Sequence, residues 1–505
     1  MPQENWVYIA FLVAYVASMV AIAYICRKRS TSLNSFYLAG RGIGPWMSAF
    51  AYGTTYFSSV ILIGYAGKLG ALFGLGVLWI GIGNAIIGTY LPWKILAKRT
   101  KVMTSAMKAK TMPEFFECRY KNSKVKLVTA IIIGIFLVPY TASVYQGIGH
   151  LFAAVFGMDA VAQETAFIIC VLALAAITAL YVFFGGYFAT ALSDFVQGII
   201  MLVGIIVMVV LVYTHVGGFS EAFARLDSAS KGFIPTGANA FDLLCLVILT
   251  SLGTWGLPQI IHKFYAIKDK SSVKRGTIVS VIFCGVVGIC AYGAGATGML
   301  FGDQIGFSDK VASGNFDSIM PAIFTTALPP VVIGLMIIMV LSASMSTLAS
   351  LGLSCSSAIM IDVYAGYVNK NIDDKKLNTA TRFASVFFIA LSAVIAIFKP
   401  AGIVELMGFS WGTLAGCFIG PYLYGLFMKK SNIYGTWASI IATLVITATL
   451  IFVPGFGMAK SPLIGVICMF TSLIITPIVS ALTAKRATKN NLDYDYSLLD
   501  ENEVK

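Results

Sequence analysis

The chain has 505 residues, 58% of them hydrophobic and 11% charged, and a mean hydropathy of +0.86. No soluble domain could bury that much apolar surface, so the class it fits is a polytopic membrane protein. The net charge of +13 is no nucleic-acid signal, because the basic residues gather in loops between apolar runs.

Hydropathy predicts an all-α protein of about 13 spans, each able to cross ~30 Å of hydrocarbon. In chain order they lie near 5–26, 45–68, 74–97, 127–156, 163–185, 190–214, 240–262, 276–302, 329–356, 383–399, 402–428, 436–456 and 463–484. The first has no basic n-region and no small-residue cleavage site, so it reads as a retained helix. The run 383–399 is the shortest and would stand nearly upright. With the amino terminus outside, the segments 27–44, 94–126, 262–275, 357–382, 428–434 and 485–505 face the cytoplasm. They carry 29 of the 35 Lys and Arg. That asymmetry sets the expected orientation in the cell membrane, with the carboxyl terminus inside.

Outside the spans little suggests independent domains. The connections 215–239 and 303–328 could form short amphipathic lids, and the acidic tail 485–505 reads as a disordered cytoplasmic segment. The nine cysteines show no metal-ligand spacing and imply no disulfide framework. His150, His215 and His262 are scattered, without an HExxH or Ser-His-Asp arrangement, so enzyme chemistry is not expected.

Two spans look broken. The second contains Ala51-Tyr52-Gly53-Thr54-Thr55-Tyr56-Phe57-Ser58-Ser59. The seventh contains Ser251-Leu252-Gly253-Thr254-Trp255-Gly256-Leu257-Pro258, whose proline cannot donate to the helix ladder. Freed backbone groups at that depth must line a cavity or find partners, and paired broken helices mark transporter sites. The two breaks are five spans apart, an odd offset, so spans 2–6 and 7–11 could be inverted repeats. The divisions are then 1–44, 45–214 as the first repeat, 215–239, 240–428 as the second, 429–484 and 485–505.

Span 9 adds a hydroxyl face. Ala343, Ser346, Thr347 and Ser350 fall at i, i+3, i+4 and i+7, hence on one side of a helix. Small residues there also allow close helix packing, but uncharged oxygens beside a broken helix suit Na⁺. Polar and aromatic candidates for solute contact are Tyr56, Ser59, Asn84, Tyr140, Thr254 and Trp255; Tyr and Trp can equally anchor at interfaces.

Several runs resemble the sodium/solute symporter family, and within it the bacterial sodium/proline symporters. They are Phe36-Tyr37-Leu38-Ala39-Gly40-Arg41-Gly42-Ile43-Gly44-Pro45, Thr111-Met112-Pro113-Glu114-Phe115-Phe116 with Arg119-Tyr120, Gly185-Gly186 through Ser193-Asp194-Phe195-Val196-Gln197-Gly198, and Met345-Ser346-Thr347-Leu348 on to Ile361-Asp362-Val363-Tyr364. Their order and spacing carry the likeness from about Asn34 to Tyr364, with weaker correspondence to Pro421.

The resemblance implies a LeuT-type fold of two inverted five-helix repeats and Na⁺-driven uptake by alternating access. It implies a main sodium site from the carbonyls of Thr54, Phe57 and Ala343 and the hydroxyls of Ser346 and Thr347. A second ion site, as in members that resemble the sialic-acid transporters, would use Asp194, Ser346 and Ser350; Ala349 replaces one of its hydroxyls. Read alone, Asp194 could equally sit in the first turn of span 6 behind a Ser193 cap. Tyr56 stands where the proline symporters carry an acid, and Thr254 where they carry an aromatic. Tyr140 and Thr254 align with substrate-vicinity positions.

The expected function is a sodium-coupled symporter importing a small organic solute, such as proline or a small carboxylate. Its partners are Na⁺, that solute and the bilayer, with no nucleic acid and with a monomer sufficient for transport. The alternatives are a sugar or other metabolite symporter of the same fold, a proton-coupled symporter, or a solute sensor.

Overall fold

The computed structural model describes residues 5–26, 32–157, 160–235 and 238–487. Most of the tail expected to be disordered, 488–505, lies outside the described residues. Among these residues there is no β-strand.

The main helices are α1 (Asn5–Cys26), α2 (Pro45–Tyr56), α3 (Ala66–Phe73), α4 (Leu78–Ala85), α5 (Ser123–Phe156), α6 (Ala160–His215), α7 (Phe219–Ser228), α8 (Ala238–Leu252), α9 (Pro258–Ala266), α10 (Lys270–Ala296), α11 (Pro330–Ser357), α12 (Asp374–Phe398), α13 (Ile403–Phe427), α14 (Ile433–Phe452) and α15 (Ser461–Leu482). Among the described residues, eleven helical runs are long and apolar enough to cross a membrane. Two of them, Val60–Ala106 and Val161–His215, have 47 and 55 residues. At 1.5 Å per residue these reach about 70–80 Å, more than twice the hydrocarbon thickness. Each contains a glycine in a backbone region closed to other residues: Gly74 at φ 56° and Gly186 at φ 60°, ψ −163°. How those two runs divide decides how eleven runs relate to the expected thirteen spans.

The expected 383–399 run is part of a longer helix. Asp373 caps α12 by accepting from Lys375 N–H at 3.2 Å, and Asp374 sits in its first turn. Helix-dipole and capping effects therefore start the helix nine residues before its apolar stretch. Hydropathy sees only the stretch. Short helices also fill the two connections expected as lids, among them α7, which buries Ala222 and Leu226 and exposes Glu221 and Arg225.

Both broken spans appear as helix pairs. α2 ends at Phe57, which is extended (φ −99°, ψ 100°), and the chain resumes as a π-helical turn over Val60–Tyr65. α8 tightens into a 3₁₀ turn at Gly253–Trp255, extends at Leu257, and restarts with Pro258 at the first position of α9, where a missing N–H costs nothing. A parallel backbone bridge ties the two: Ile43 N–H donates to Ala266 O at 3.1 Å, and Lys268 N–H to Ile43 O at 2.9 Å. Beyond the first break, α3 lies against α10 so closely that a Cβ at Gly70 would come within 2.2 Å of the Gly295 carbonyl. Glycine on both sides is what permits that contact.

Candidate ion and solute site

The α2 ladder ends with Phe57 N–H donating to Gly53 O at 2.9 Å; it resumes with Ser58 O accepting from Ile61 and Leu62. The carbonyls of Thr54 and Thr55 fall past that last bond. The hydroxyl face of α11 meets them there. Thr347 Oγ1 lies 3.3 Å from Thr54 O, 3.4 Å from Thr55 O and 3.1 Å from Ala343 O. Ser346 Oγ donates to Thr54 Oγ1 at 2.8 Å, which in turn donates to Phe50 O at 2.9 Å.

One hydroxyl proton cannot serve three carbonyls at once. The junction therefore holds more acceptor oxygens than donors, in a place with every participating residue buried. A surplus of neutral acceptors in a dry site is costly unless a cation meets it. The donor set is all oxygen and carries no formal charge, which suits a hard monovalent ion.

Of the five residues expected at the main sodium site, the structure thus brings together Thr54, Ala343, Ser346 and Thr347. Phe57, three residues beyond Thr54, is not part of those contacts; its ring packs against Tyr56 at 4.9 Å between centroids. Thr55 was not on that expected list, yet its carbonyl faces Thr347 and its hydroxyl lies 3.1 Å from Ser350 Oγ. Its position next to Thr54 in the break was the available signal.

Asp194 does not sit in a first turn. It lies in the interior of α6, beyond the Gly186 kink, and Ser193 donates back to Ala189 O at 2.8 Å instead of capping. The acid is fully buried, with Lys263 Nζ 3.5 Å from Oδ2. Lys263 belongs to α9 and is also buried, although its sequence position placed it in the cytoplasmic segment 262–275. Ser350, the third residue of the expected second ion site, accepts from Lys263 Nζ at 2.9 Å.

All six solute candidates are buried; Tyr56, Asn84, Thr254 and Trp255 meet the second break or the facing π-turn Ile86–Tyr90, whereas Ser59 and Tyr140 contact other elements. Thr254 Oγ1 donates toward Gly88 O at 3.0 Å and Trp255 Nε1 to Ile87 O at 2.9 Å. Tyr56 OH donates to Thr250 O at 2.8 Å, and Asn84 Oδ1 accepts from Thr250 and Ser251 at 2.9 and 3.0 Å. Ser59 Oγ donates to Val144 O at 2.7 Å. Tyr140 and Tyr56 both pack on Trp411, at 5.6 and 6.0 Å between centroids. Trp411 and Tyr52, whose hydroxyl donates to Gly88 O at 2.6 Å, belong to the same cluster. Neither stood out in the sequence, where each reads as one more aromatic in an apolar run.

Polar contacts close both ends. On the basic-loop side the Arg41 guanidinium donates to Thr104 O, Ala109 O and Tyr265 O. On the opposite side Lys68 pairs with Glu405 in the first turn of α13, and Ile403 N–H donates to Asp317 Oδ2 at 3.3 Å. Burial pushes the Asp317 carboxyl up to about 6, against the pull of the Ile403 N–H and the Lys68 charge. Asp269, which caps α10, is held down at about 2 by hydrogen bonds from Ser271 and Ser272.

A family model described as the sodium:solute symporter family matches residues 36–443. The osmoregulated proline transporter OpuE of Bacillus subtilis (strain 168) is 30% identical over 482 residues, covering 94% of each chain. A sodium/proline symporter of Staphylococcus aureus is 28% identical, covering 95% of this chain and 94% of its own. Among solved structures, a substrate-bound, outward-open Na⁺-coupled sialic acid symporter superposes with a TM-score of 0.77 at 17% identity, covering 94% of this chain and 97% of its own. At that identity the likeness establishes the shared LeuT-type fold.

Proposed function

The chain belongs to the sodium:solute symporter family, and from that premise we propose that it imports proline, or an amino acid of that size, together with Na⁺. The observation that carries the reading is the acceptor surplus where the α2 break meets α11. Na⁺ there would take over the role of the shared hydrogen bond, drawing the Thr54, Thr55 and Ala343 carbonyls and the Ser346 and Thr347 hydroxyls around one charge, with Phe57 O two residues further along the break. Residues 45–214 and 240–428 would form the two inverted repeats around it.

Ion and solute are coupled through Tyr56. Its backbone follows Thr54 and Thr55, while its ring packs on Trp411 and its hydroxyl reaches Thr250. Fixing the break with Na⁺ orients that ring, and a solute held among Tyr56, Trp411, Tyr140 and Thr254 fixes it in return. Coupling of this kind is reciprocal. Solute entry requires Thr254 and Trp255 to exchange their carbonyl partners in the π-turn for the solute, so the pocket assembles on binding. Relative rocking of the helix bundles then opens the Lys68–Glu405 side or the Arg41 side in turn. One charge moving inward gains about 2.3 kcal/mol per 100 mV, and a tenfold Na⁺ gradient adds about 1.4 kcal/mol.

Proteoliposomes with inward Na⁺ or K⁺ gradients test this with labelled proline. Uptake driven by Na⁺ alone, and lost when Ser346→Ala and Thr347→Ala are combined in protein that still inserts, is the expected result. Equal uptake under both gradients would remove the assignment.

A further inference from the structure

The buried pair formed by Asp194 and Lys263, whose acid interacts with Ser346 of the first ion site, stands next to that site. Thr55 links the two: its carbonyl faces Thr347, and its hydroxyl meets Ser350 Oγ, which accepts from Lys263 Nζ. Asp194 is fully buried, and neither of its carboxylate oxygens accepts a hydrogen bond in good geometry. A buried carboxylate demands a cation, and here the cation is the chain's own. The Lys263 ammonium lies 3.5 Å from Asp194 Oδ2, 2.9 Å from Ser350 Oγ and 5.2 Å from the centre of the Tyr187 ring.

We propose that Lys263 is a tethered second cation: its ammonium fills the place beside Asp194 and Ser350 that a second Na⁺ would take, so that one Na⁺ crosses with each solute. The inference deepens the symporter reading and rests on it. An ion brought against Asp194 would meet the ammonium at near-contact distance and be repelled, while the carboxylate is already neutralised. Lys263 is carried by α9, the half-helix that follows the second break, whereas Asp194 is carried by α6. The pair therefore joins two helices that alternating access must move relative to each other. Because the ammonium is covalently held, it returns with its helix in every cycle and transfers no net charge. A free ion in that position would be released inside.

The decisive experiment counts ions. Equilibrium binding of ²²Na⁺ to the purified full-length protein, and the reversal potential of proline-coupled current in proteoliposomes, both give the Na⁺:solute ratio. The wild type is expected to bind one Na⁺ and move one charge per proline. Lys263→Ala leaves Asp194 exposed to an incoming ion, so bound Na⁺ should rise to two and the Hill coefficient for Na⁺ from one toward two. Adding Asp194→Asn to that variant should return both to one. A wild type that binds two Na⁺, or a Lys263→Ala protein that retains the first site and gains no ion, would overturn the proposal. If Lys263→Ala does not fold, the wild-type ratio decides alone, and two overturns it. Failure of the symporter reading looks different: Na⁺ binding in the wild type would then be absent, or indifferent to Ser346→Ala/Thr347→Ala.

Discussion

The two broken spans open the helix ladder in opposite chemical senses. At the first, Thr54 and Thr55 present carbonyls, and a single Thr347 hydroxyl is spread over three acceptors at 3.1–3.4 Å. At the second, the Tyr52 and Thr254 hydroxyls and the Trp255 indole N–H converge on Gly88 O and Ile87 O, with the Thr254 proton shared with Ser251 O at 2.9 Å. One break is short of protons; the other spends its donors on a neighbouring π-turn. Two interruptions of similar composition therefore suit different guests: a cation at the first, and at the second a solute with acceptor groups of its own, such as a carboxylate. What distinguishes them is which neighbour faces each one.

Separating the breaks by mutation gives the largest expected effect. Thr347→Val keeps the shape and removes the shared hydroxyl, and should raise the Na⁺ concentration for half-maximal uptake at least a hundredfold, about 2.7 kcal/mol. The support behind the first break comes next. Gly295→Val would drive a branched side chain into the Ala66 carbonyl, 2.0 Å from the added Cβ. It should destabilise the folded protein by about 1–3 kcal/mol or more, seen as a lower unfolding temperature in detergent.

Thr254→Val and Trp255→Phe act at the second break. Trp255→Phe leaves Ile87 O without its indole donor, a cost of about 1–3 kcal/mol, whereas after Thr254→Val Gly88 O keeps the Tyr52 hydroxyl and the cost is smaller. Trp255→Phe should alter the KM for solute by roughly five- to 150-fold and Thr254→Val by less, with the Na⁺ dependence unchanged. If Thr254→Val shifted the Na⁺ response as strongly as Thr347→Val, the division between the breaks would be wrong.

The smallest effect concerns Asp317, at the Lys68–Glu405 end. Its carboxyl titrates near 6 in the folded protein and near 3.9 when unfolded. The folded state thus binds the proton more tightly, and stability falls as pH rises from about 4 to about 6. Asp317→Asn should abolish that slope, a change of about 1–3 °C in unfolding temperature, read by thermal scans across the window.

Much of this was legible beforehand because it is periodic. The apolar runs located the helices, and the i, i+3, i+4, i+7 spacing of Ala343, Ser346, Thr347 and Ser350 put the hydroxyls of the last three on the face that meets α2. Glycine, proline and hydroxyls marked both breaks. Three features escaped for physical reasons. The first turns of α12 are polar, and hydropathy does not register capping. Lys263 follows His262 near the end of an apolar run, which reads as the start of a basic loop; its burial depends on Asp194, 69 positions earlier, and no local pattern links them. Trp411 contributes through tertiary packing, and Tyr52 through packing and its bond to Gly88 O, partners distant in sequence that no local pattern reveals.

The central claim, that neutral oxygens at the junction of α2 and α11 bind Na⁺, is tested most directly by thermal unfolding of purified protein in NaCl against KCl at equal ionic strength. At a hundred times its dissociation constant, Na⁺ should stabilise the wild type by about 2.7 kcal/mol, K⁺ should give no comparable shift, and Ser346→Ala/Thr347→Ala should show none with either. Equal stabilisation by the two salts, or a Na⁺ shift that survives loss of both hydroxyls, would contradict it.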